Sequence, residues 1–268
     1  MDEFLVFLFI LPLLLVFFFY EGKPLSQPNP TTTTGTNGRL GNQIIRNLAV
    51  SHVAKKHDLK VNYFNHALIE KLGIDLYSGN QTYSTTQELN DQNYFSVSNG
   101  VVKSNLNPNN AYFQTKDITN VLYTHIQSMK DNIMKKNPFK ERYNANHDLF
   151  VHIRLTDVAH FTPGLEYYLN GIQRIPHDNL YLSTDQPNHP IVKTLLGLNA
   201  KLIEYDEIAT FQYASTCKHV LLSHGSFSAM IGYLSFFSDV YYPEYDPDKI
   251  WYGDMFSIEK WTKLKTKL

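Results

Sequence analysis

Short apolar runs recur through the second half of the chain, and they constrain its fold more than any other feature. The run Leu149–Ile153 (LFVHI) is almost continuously apolar, which is typical of a strand buried on both faces. Four similar runs follow at residues 180–183, 200–203, 220–223 and 240–242, with helical stretches between them. Strands that alternate with helices in this way predict an α/β fold with parallel sheets.

The first half of the chain carries a weaker version of the same pattern. An apolar stripe at helical spacing predicts a helix over residues 42–58, with Asn42 as its N-cap. A strand is expected at residues 111–113, and a helix at residues 120–136 before Pro138. A βα unit here should begin with a buried strand, but the sequence before the predicted helix is rich in threonine.

The N-terminus differs in character from everything that follows it. Residues 4–20 contain no charged side chain and, as a helix, would span about 25 Å, close to the thickness of a bilayer core. No small-residue cleavage pattern follows, so an uncleaved signal anchor is expected at residues 1–20. Residues 21–36 are rich in Pro, Thr and Ser and are expected to form a stem.

The overall composition excludes several classes of protein. Lys and Arg total 24 against 25 Asp and Glu, which gives a net charge of −1 and argues against a nucleic-acid-binding protein. The single cysteine, Cys217, excludes an intramolecular disulfide framework and a cysteine-rich zinc site.

Familiar catalytic motifs are also missing. The sequence has no P-loop, no GxGxxG dinucleotide loop and no HExxH zinc helix. Asp246 and Asp248 formally spell DxD, a pattern that can hold a metal-bound diphosphate, but prolines beside them favour a turn.

The segment GRLGNQ at the start of the first predicted helix is the first candidate site. Its two glycines, Gly38 and Gly41, allow a ligand to approach the backbone, and a helix N-terminus favours anions. Asn42 and Gln43 add amide groups suited to the hydroxyls of a nucleotide or sugar, and Arg39 lies between the glycines. The structural alternative is a glycine turn with an asparagine cap.

The second candidate site follows the LFVHI strand. His152 and Arg154 point in a common direction at the carboxyl end of this strand, where ligands collect in open α/β sheets. Arginine is a permanent cation whose planar fork suits phosphate. The structural alternative is an ion pair between Arg154 and Asp157 that closes a loop.

The third candidate site is the junction between the run at residues 220–223 and the apolar helix after it. Ser226, Phe227 and Ser228 lie in this strand-to-helix junction, before the helix, and backbone N–H groups at such a junction form an anion site. Three such junctions without a cofactor motif suggest that a nucleoside diphosphate binds without a P-loop.

Taken together, these motifs resemble the α-1,2-fucosyltransferases of glycosyltransferase family eleven. The resemblance rests on GRLGNQ, the His-x-Arg of the second site and the Ser/Gly/Phe junction, in that order. The segments Ala-Tyr-Phe-Gln-Thr at residues 111–115 and Tyr-Leu-Ser-Thr-Asp at residues 181–185, together with Cys217 and Trp261, have counterparts in the family. The resemblance covers residues 38–261.

The resemblance implies a GT-B-like enzyme with two Rossmann-type halves, an acceptor-side half at residues 37–145 and a donor-binding half at residues 146–268. Such enzymes transfer fucose from GDP-β-L-fucose with inversion and need no metal or other cofactor. The expected acceptor is a galactose-like hydroxyl of a glycan, and the anchor then implies a single-pass Golgi membrane protein with a lumenal catalytic domain.

Site roles also follow from the resemblance, position by position. Arg154 would hold the donor diphosphate, and Asp185 would lie near the nucleoside. Asn42 with the backbone at Gly38 and Gly41 would line the donor cleft, and Ser226, Phe227 and Ser228 would lie near the phosphates. Independently of the resemblance, a carboxylate can deprotonate the acceptor hydroxyl, and the candidates are Asp157 or another nearby carboxylate.

One position departs from the family pattern. The family has two arginines in His-x-Arg-Arg-x-Asp, and the second is Leu155 here. Related protein O-fucosyltransferases manage with one arginine, so transfer to a protein hydroxyl is an alternative. A degenerate protein that binds a GDP-sugar or glycan without turnover is another.

Overall fold

The computed structural model describes residues 31–244 and 253–266 and confirms an α/β fold with parallel sheets. The predicted anchor at residues 1–20, most of the predicted stem, and Asp246 and Asp248 lie outside the described residues. Within the described ranges, no helix combines the length and the apolar character that crossing a membrane requires.

The first part of the fold contains two small parallel sheets and five helices. One sheet pairs β1 with β2, and the other pairs β3 with β4. The strands are β1 (Thr32–Thr33), β2 (Val61–Asn62), β3 (Thr86–Glu88) and β4 (Asn105–Asn107). The helices are α1 (Leu40–His57), α2 (His66–Glu70), α3 (Tyr94–Asn99), α4 (Lys116–Ser128) and α5 (Lys130–Lys136), followed by a 3₁₀ turn at Lys140–Arg142.

The second part is built on one parallel sheet of six strands. The strands are β5 (Leu149–Ile153), β6 (Leu180–Thr184), β7 (Lys201–Leu202), β8 (His219–Leu221), β9 (Asp239–Pro243) and β10 (Thr262–Leu264). The helices are α6 (Leu165–Arg174), α7 (Pro190–Leu196), α8 (Glu207–Ala214) and α9 (Ser226–Leu234), with a 3₁₀ turn at Ala159–Phe161.

The strand order of this sheet creates a crevice for a ligand. Its order is β10-β9-β8-β5-β6-β7. Numbered from β5, this is the 3-2-1-4-5-6 order of doubly wound dinucleotide-binding folds. The order reverses between β5 and β8, so the connections leaving these two strands diverge and leave a crevice beyond their carboxyl ends.

The two parts of the chain share a hydrophobic core. One cluster of buried side chains contains residues of α1 and α4 together with residues of α8 and α9. A second cluster covers the opposite face of the six-stranded sheet, where α6 and α7 pack. Every residue of β5 is buried, as expected for a strand covered on both faces.

The threonine-rich segment before α1 is not all stem. Thr32 lies in β1 and is fully buried, and its Oγ1 accepts a 2.8 Å hydrogen bond from the N–H of Leu106. Thr34 is also buried, and its Oγ1 accepts from the N–H of Phe64 at 2.9 Å. The prediction of a stem through residue 36 is therefore wrong at residues 32–34, because threonine hydroxyls here serve as acceptors for backbone groups of neighbouring segments.

Three boundaries in the first part also differ from the prediction. Helix α1 begins at Leu40, so Asn42 lies in its first turn and Arg39 occupies the N-cap. Residues 111–113 form no strand, and Phe113 has φ of +55°, which is incompatible with extended backbone. The helix predicted over residues 120–136 is divided at Met129, which is the C-cap of α4 and the N-cap of α5.

Candidate active site

A cavity of about 870 Å³ opens at the carboxyl ends of β5, β6 and β8, between them and the start of α1. It therefore occupies the crevice that the strand order creates. All of the predicted site residues line it except Gln43 and Ser228. The lining residues among them are Gly38, Arg39, Gly41, Asn42, His152, Arg154, Asp157, Asp185, Ser226 and Phe227.

Two helix N-termini meet at the wall of this cavity. Helix α1 begins after Arg39 and α9 begins after Gly225, and neither has a side chain that caps its first turn. A Cβ on Gly41 would lie 2.6 Å from the backbone nitrogen of Phe227, so glycine is required for the two helix starts to come this close. Their partial positive charges and free N–H groups point to an anion-binding function.

The segment before α1 is held in place by its own amide side chains. Gly38 has φ of +78°, and the Nε2 of Gln43 donates to its carbonyl at 2.7 Å. Asn65 in turn donates to the Oε1 of Gln43 at 2.7 Å. Gln43 is buried, so it positions the loop that lines the cavity.

Asn42 faces the cavity and connects it to a second segment. Its Oδ1 accepts a 2.7 Å hydrogen bond from the Nε2 of Gln114, whose backbone N–H donates to Asp91 at 3.2 Å. Gln114 and Asp91 also line the cavity. This chain of hydrogen bonds connects the start of α1 to the segments that carry Gln114 and Asp91.

Arg154 leaves the carboxyl end of β5 and enters a network of ion pairs. Its guanidinium donates to the carboxylates of Asp157 and Asp185. Arg39 approaches the same two carboxylates from the start of α1, at 3.5 Å from Asp157 and 3.8 Å from Asp185. The ion pair of Arg154 with Asp157 that the sequence offered as an alternative is thus present, within a cluster of two cations and two anions.

Asp185 organises the loop that follows β5. Its Oδ1 accepts from the N–H of Leu155 at 2.9 Å, and its Oδ2 accepts from the hydroxyl of Thr156 at 2.6 Å. Partial burial alone would raise the pKa of Asp185, but these hydrogen bonds and the charge of Arg154 outweigh it and hold the pKa below the ordinary value. These contacts occupy both carboxylate oxygens, so Asp185 positions the Arg154 loop.

His152 is a neutral, buried neighbour of Arg154. Its Nδ1 lies 2.6 Å from the Oγ of Ser228, and its ring lies against Phe227 at a centroid distance of 5.1 Å. Burial lowers the pKa of His152 to about 3, so the ring carries no charge at neutral pH. The Oγ of Ser228 also accepts from the N–H of Ser223 at 3.1 Å. Ser228 therefore positions His152 and the end of β8 and does not line the cavity itself.

Leu155 cannot take the place of a second arginine. Its side chain is 1% exposed and belongs to the hydrophobic cluster beneath the sheet. The second guanidinium of the site comes instead from Arg39, whose side chain is 58% exposed and reaches the loop after β5 from α1.

Six of the described lining residues carry a formal charge. Arg39 and Arg154 supply two positive charges, and four carboxylates oppose them. The carboxylates are Asp91, Asp157, Asp185 and Glu207. Asp157 and Asp185 are paired with the arginines, whereas Asp91 and Glu207 form no ion pair with another described residue.

Several lining residues were not predicted as site residues. From the first part of the chain these include Asp91, Gln92 and Tyr112, which lie in irregular segments that no periodicity marks. From the second part they include Tyr205 and Glu207, which follow the carboxyl end of β7. The rule that ligands collect at the carboxyl ends of parallel strands would have found this last pair.

A metal centre is not evident in the described part of the chain, where no group of three or more His, Cys, Asp or Glu side chains is arranged to hold an ion. The chain matches no protein-family model and no curated protein sequence. A proposal about its function therefore has to rest on the geometry of the cavity and on the sequence motifs.

Proposed function

We propose that this chain is a glycosyltransferase that transfers fucose from GDP-β-L-fucose, with inversion, to a galactose-like hydroxyl of a glycan, forming an α-1,2 linkage. The observation that carries the proposal is the position of Arg154 at the strand-order reversal, in a cavity that two uncapped helix N-termini also face. Permanent positive charge and free N–H groups are the features that a diphosphate requires.

The proposal includes a GT-B-like arrangement. The six-stranded sheet is the donor-binding half, and the segment with α1 to α5 is the acceptor-side half, with the cleft between them. The strand order supports a Rossmann-type donor half. The proposed setting is the Golgi lumen, with residues 1–20 as the membrane anchor.

In the proposed reaction, the acceptor hydroxyl oxygen attacks the anomeric carbon while the bond from that carbon to the β-phosphate oxygen breaks. GDP leaves with the electron pair, and negative charge grows on its diphosphate. Arg154, Arg39 and the first turn of α9 stabilise that charge in the transition state, an effect worth about 3 kcal/mol per well-placed donor.

The proton of the acceptor hydroxyl needs a carboxylate. Asp157 was the residue favoured by the sequence, but partial burial is outweighed by the hydroxyl of Thr156 and the charges of Arg154 and Arg39, which together lower its pKa. A carboxylate with a lowered pKa is a weaker base. Asp91 also lines the cavity, and among the described residues it forms no ion pair with either arginine. We assign the proton to Asp91, and Asp157 serves as the resting counterion of Arg154.

The assignment predicts different kinetics for two isosteric variants. Asp91→Asn should lower kcat for transfer by about 100-fold with little change in GDP affinity. Asp157→Asn removes a negative charge beside the diphosphate, so it should bind GDP more tightly and retain most of its kcat. The reverse pattern would make Asp157 the base.

Transfer itself is tested with the full-length chain, radiolabelled GDP-fucose and an array of galactose-terminated glycans. We expect label on a galactose 2-hydroxyl, and Arg154→Met should abolish it. Absence of both transfer and donor hydrolysis would contradict the proposal. Label on a serine or threonine of a protein acceptor would instead support a protein O-fucosyltransferase.

A binding protein without turnover is the second candidate. The ion pairs of Arg154 with Asp157 and Asp185 favour this reading. Because the guanidinium is already paired with two carboxylates, less of its charge is available to stabilise a departing diphosphate. In that case calorimetry should detect GDP binding that Arg154→Met removes, while transfer by the wild-type chain remains at background.

A further inference from the structure

A surface segment at the end of α1 carries a motif that the proposed function does not use. Asn80, Gln81 and Thr82 form an Asn-x-Thr sequence, the pattern at which an oligosaccharide can be attached to asparagine. One other Asn-x-Ser/Thr sequence occurs in the chain, at Asn29, but Pro30 in its middle position excludes it as an acceptor. The sequence therefore offers a single acceptor asparagine.

The backbone around Asn80 is held firmly against the end of α1. Asp58 is the C-cap of that helix, and its carbonyl accepts from the N–H of Asn80 at 3.0 Å and from that of Gln81 at 2.7 Å. The carbonyl of Gln81 in turn accepts from the N–H of Lys60 at 2.9 Å. A Cβ on Gly79 would lie 2.4 Å from the carbonyl carbon of Asp58, so glycine is required for this close approach. The backbone on both sides of Asn80 is therefore fixed.

Asn80 itself is exposed on this fixed backbone. Leu59, which pairs with Gln81 in an isolated parallel bridge, is fully buried, whereas Asn80 and Gln81 are exposed. The hydroxyl of Tyr77 and the side-chain amide of Asn80 hold the pKa of Asp58 below its usual range. An amide nitrogen that carries a sugar keeps one N–H, so the contact with Asp58 can persist after attachment.

We infer that Asn80 is a site of N-linked glycosylation. In the attachment, the amide nitrogen of Asn80 bonds to C1 of the first sugar of an oligosaccharide carried on a lipid diphosphate. The bond from C1 to the phosphate oxygen breaks, the lipid diphosphate leaves with the electron pair, and one amide proton is released. This donor is used in the lumen of the secretory pathway, so the inference rests on the lumenal setting of the proposed function.

The site lies at the opposite end of α1 from the cavity. Gly38 and Arg39 line the cavity at the start of this helix, and Asp58 caps its other end. The 18 residues of the helix separate the two ends by about 27 Å. A glycan on Asn80 therefore projects from surface remote from the cavity, and GDP binding should not depend on it.

The same glycan would report the orientation of the chain in the membrane. Asp2 and Glu3 precede the predicted anchor and a single lysine, Lys23, follows it closely, so the flanking charges specify orientation only weakly. Because the oligosaccharide is attached in the lumen, a glycan on Asn80 would place the α/β fold on the lumenal side.

The full-length chain, expressed in cultured eukaryotic cells, is compared by electrophoresis before and after treatment with a peptide N-glycosidase. We expect a shift that corresponds to one glycan, and mass spectrometry of the treated chain should find aspartate at position 80, the product that the glycosidase leaves. Thr82→Val replaces the hydroxyl by a methyl group and should abolish the shift. Thr82→Ser keeps the hydroxyl and should retain it, with GDP affinity unchanged in both variants.

An introduced acceptor provides the matched control. Val101 is 86% exposed, and Val101→Thr creates an Asn-Gly-Thr sequence at Asn99, which is also exposed. Combined with Thr82→Val, this variant should carry one glycan, at Asn99, if the fold lies in the lumen.

The outcomes separate this inference from the proposed function. An unmodified Asn80 in a wild-type chain, together with a modified Asn99 in the control, would overturn the glycosylation site and leave the proposed function and its lumenal setting standing. Absence of modification at both positions would overturn the site and the lumenal setting together, while transfer by the purified chain would still test the proposed reaction.

Discussion

At the scale of single residues, Gly41 connects packing to the site. A Cβ at this position would lie 2.6 Å from the nitrogen of Phe227 and 2.7 Å from the carbonyl carbon of Ser226, both backbone atoms. Backbone cannot move aside as a flexible side chain can, so α1 and α9 would have to separate. The same separation would widen the gap between the two helix N-termini.

Gly41→Ala should therefore lower the free energy of unfolding by about 1–3 kcal/mol and weaken GDP binding. Gly197→Ala is the matched control, because Gly197 has ordinary helical dihedrals and its nearest neighbour would be one oxygen at 3.1 Å. Chemical denaturation of both variants measures the difference. A Gly41→Ala chain as stable as the control would show that the approach of the helices does not need glycine.

Arg46 is a second residue on which the packing of the first part of the fold depends. It is 1% exposed, and its guanidinium donates to the carbonyls of Ala111, Thr34 at 2.8 Å and Asn109 at 3.1 Å. Desolvation lowers the pKa of Arg46, because burial disfavours the charged form of the guanidinium. The contacts join α1, the segment after β1 and the segment that carries Tyr112.

Arg46→Met should destabilise the fold by about 3 kcal/mol or more, because three carbonyl oxygens lose a donor in a dry environment. Arg174→Met removes an exposed arginine and should cost less than about 0.5 kcal/mol. The two unfolding midpoints, measured in urea, give the comparison. Equal midpoints would mean that water replaces the guanidinium without loss.

At the scale of elements, the loop after β5 depends on Asp185 at the end of β6. Asparagine at position 185 would keep one acceptor for the N–H of Leu155 but would turn an NH₂ group toward Arg154 and Thr156, which are donors. We expect Asp185→Asn to reduce GDP affinity at least tenfold and to lower stability by about 1–3 kcal/mol.

Asp206→Asn is the control for that variant. Asp206 is the N-cap of α8, after the next strand, β7. Because asparagine caps a helix as well as aspartate does, GDP affinity and stability should stay near the wild-type values. Titration with GDP gives the affinities. Unchanged GDP binding in Asp185→Asn would mean that the loop needs no carboxylate at β6.

Comparison of β5 with β1 shows how much of the fold could be predicted from sequence. Strand β5 is apolar and buried on both faces, so its pattern alone identified it, and it placed His152 and Arg154 at a carboxyl end. Strand β1 consists of Thr32 and Thr33, whose pairing depends on hydrogen bonds to distant segments such as the one at Leu106. No local pattern reports such contacts.

The same distinction applies to the site. Residues that follow strong strands or begin long helices were predicted, and Arg154 and Gly41 line the cavity. Asp91 and Tyr112 lie in irregular backbone whose position is set by Gln114 and by the buried Arg46, contacts that join residues far apart in the chain. The role of Asp185 as organiser of the Arg154 loop is likewise visible only when β6 pairs with β5.

At the scale of the whole molecule, the buried His152 and His224 and the half-buried His52 give the stability a defined dependence on pH. Burial lowers the pKa of His152 to about 3 and that of His52 and His224 to about 4, from an ordinary value of 6.5. Between those values the unfolded chain binds protons that the folded chain does not. The contribution of these histidines to the free energy of unfolding is therefore fully present above pH 6.5 and is lost as the pH falls toward 4.

His52→Gln should reduce that decline. At pH 8 the difference in unfolding free energy between this variant and the wild-type chain reports only on packing and on the lost hydrogen bond. That bond joins the Nδ1 of His52 to the hydroxyl of Tyr94 at 2.9 Å. Between pH 6.5 and 4.5 the variant should lose less stability than the wild-type chain, by up to about 1.4 kcal/mol per pH unit. Parallel curves for the two chains would show that the pKa of His52 is the same in the folded and the unfolded chain, and would contradict the effect of burial.

The proposed function requires that a nucleoside diphosphate binds in the cavity between α1, α9 and the end of β5. A crystal structure of the chain with GDP is the decisive measurement. We expect a diphosphate within about 3 Å of the Arg154 guanidinium and of the first N–H groups of α9. GDP bound elsewhere, or in the cavity with its phosphates away from Arg154, would contradict it.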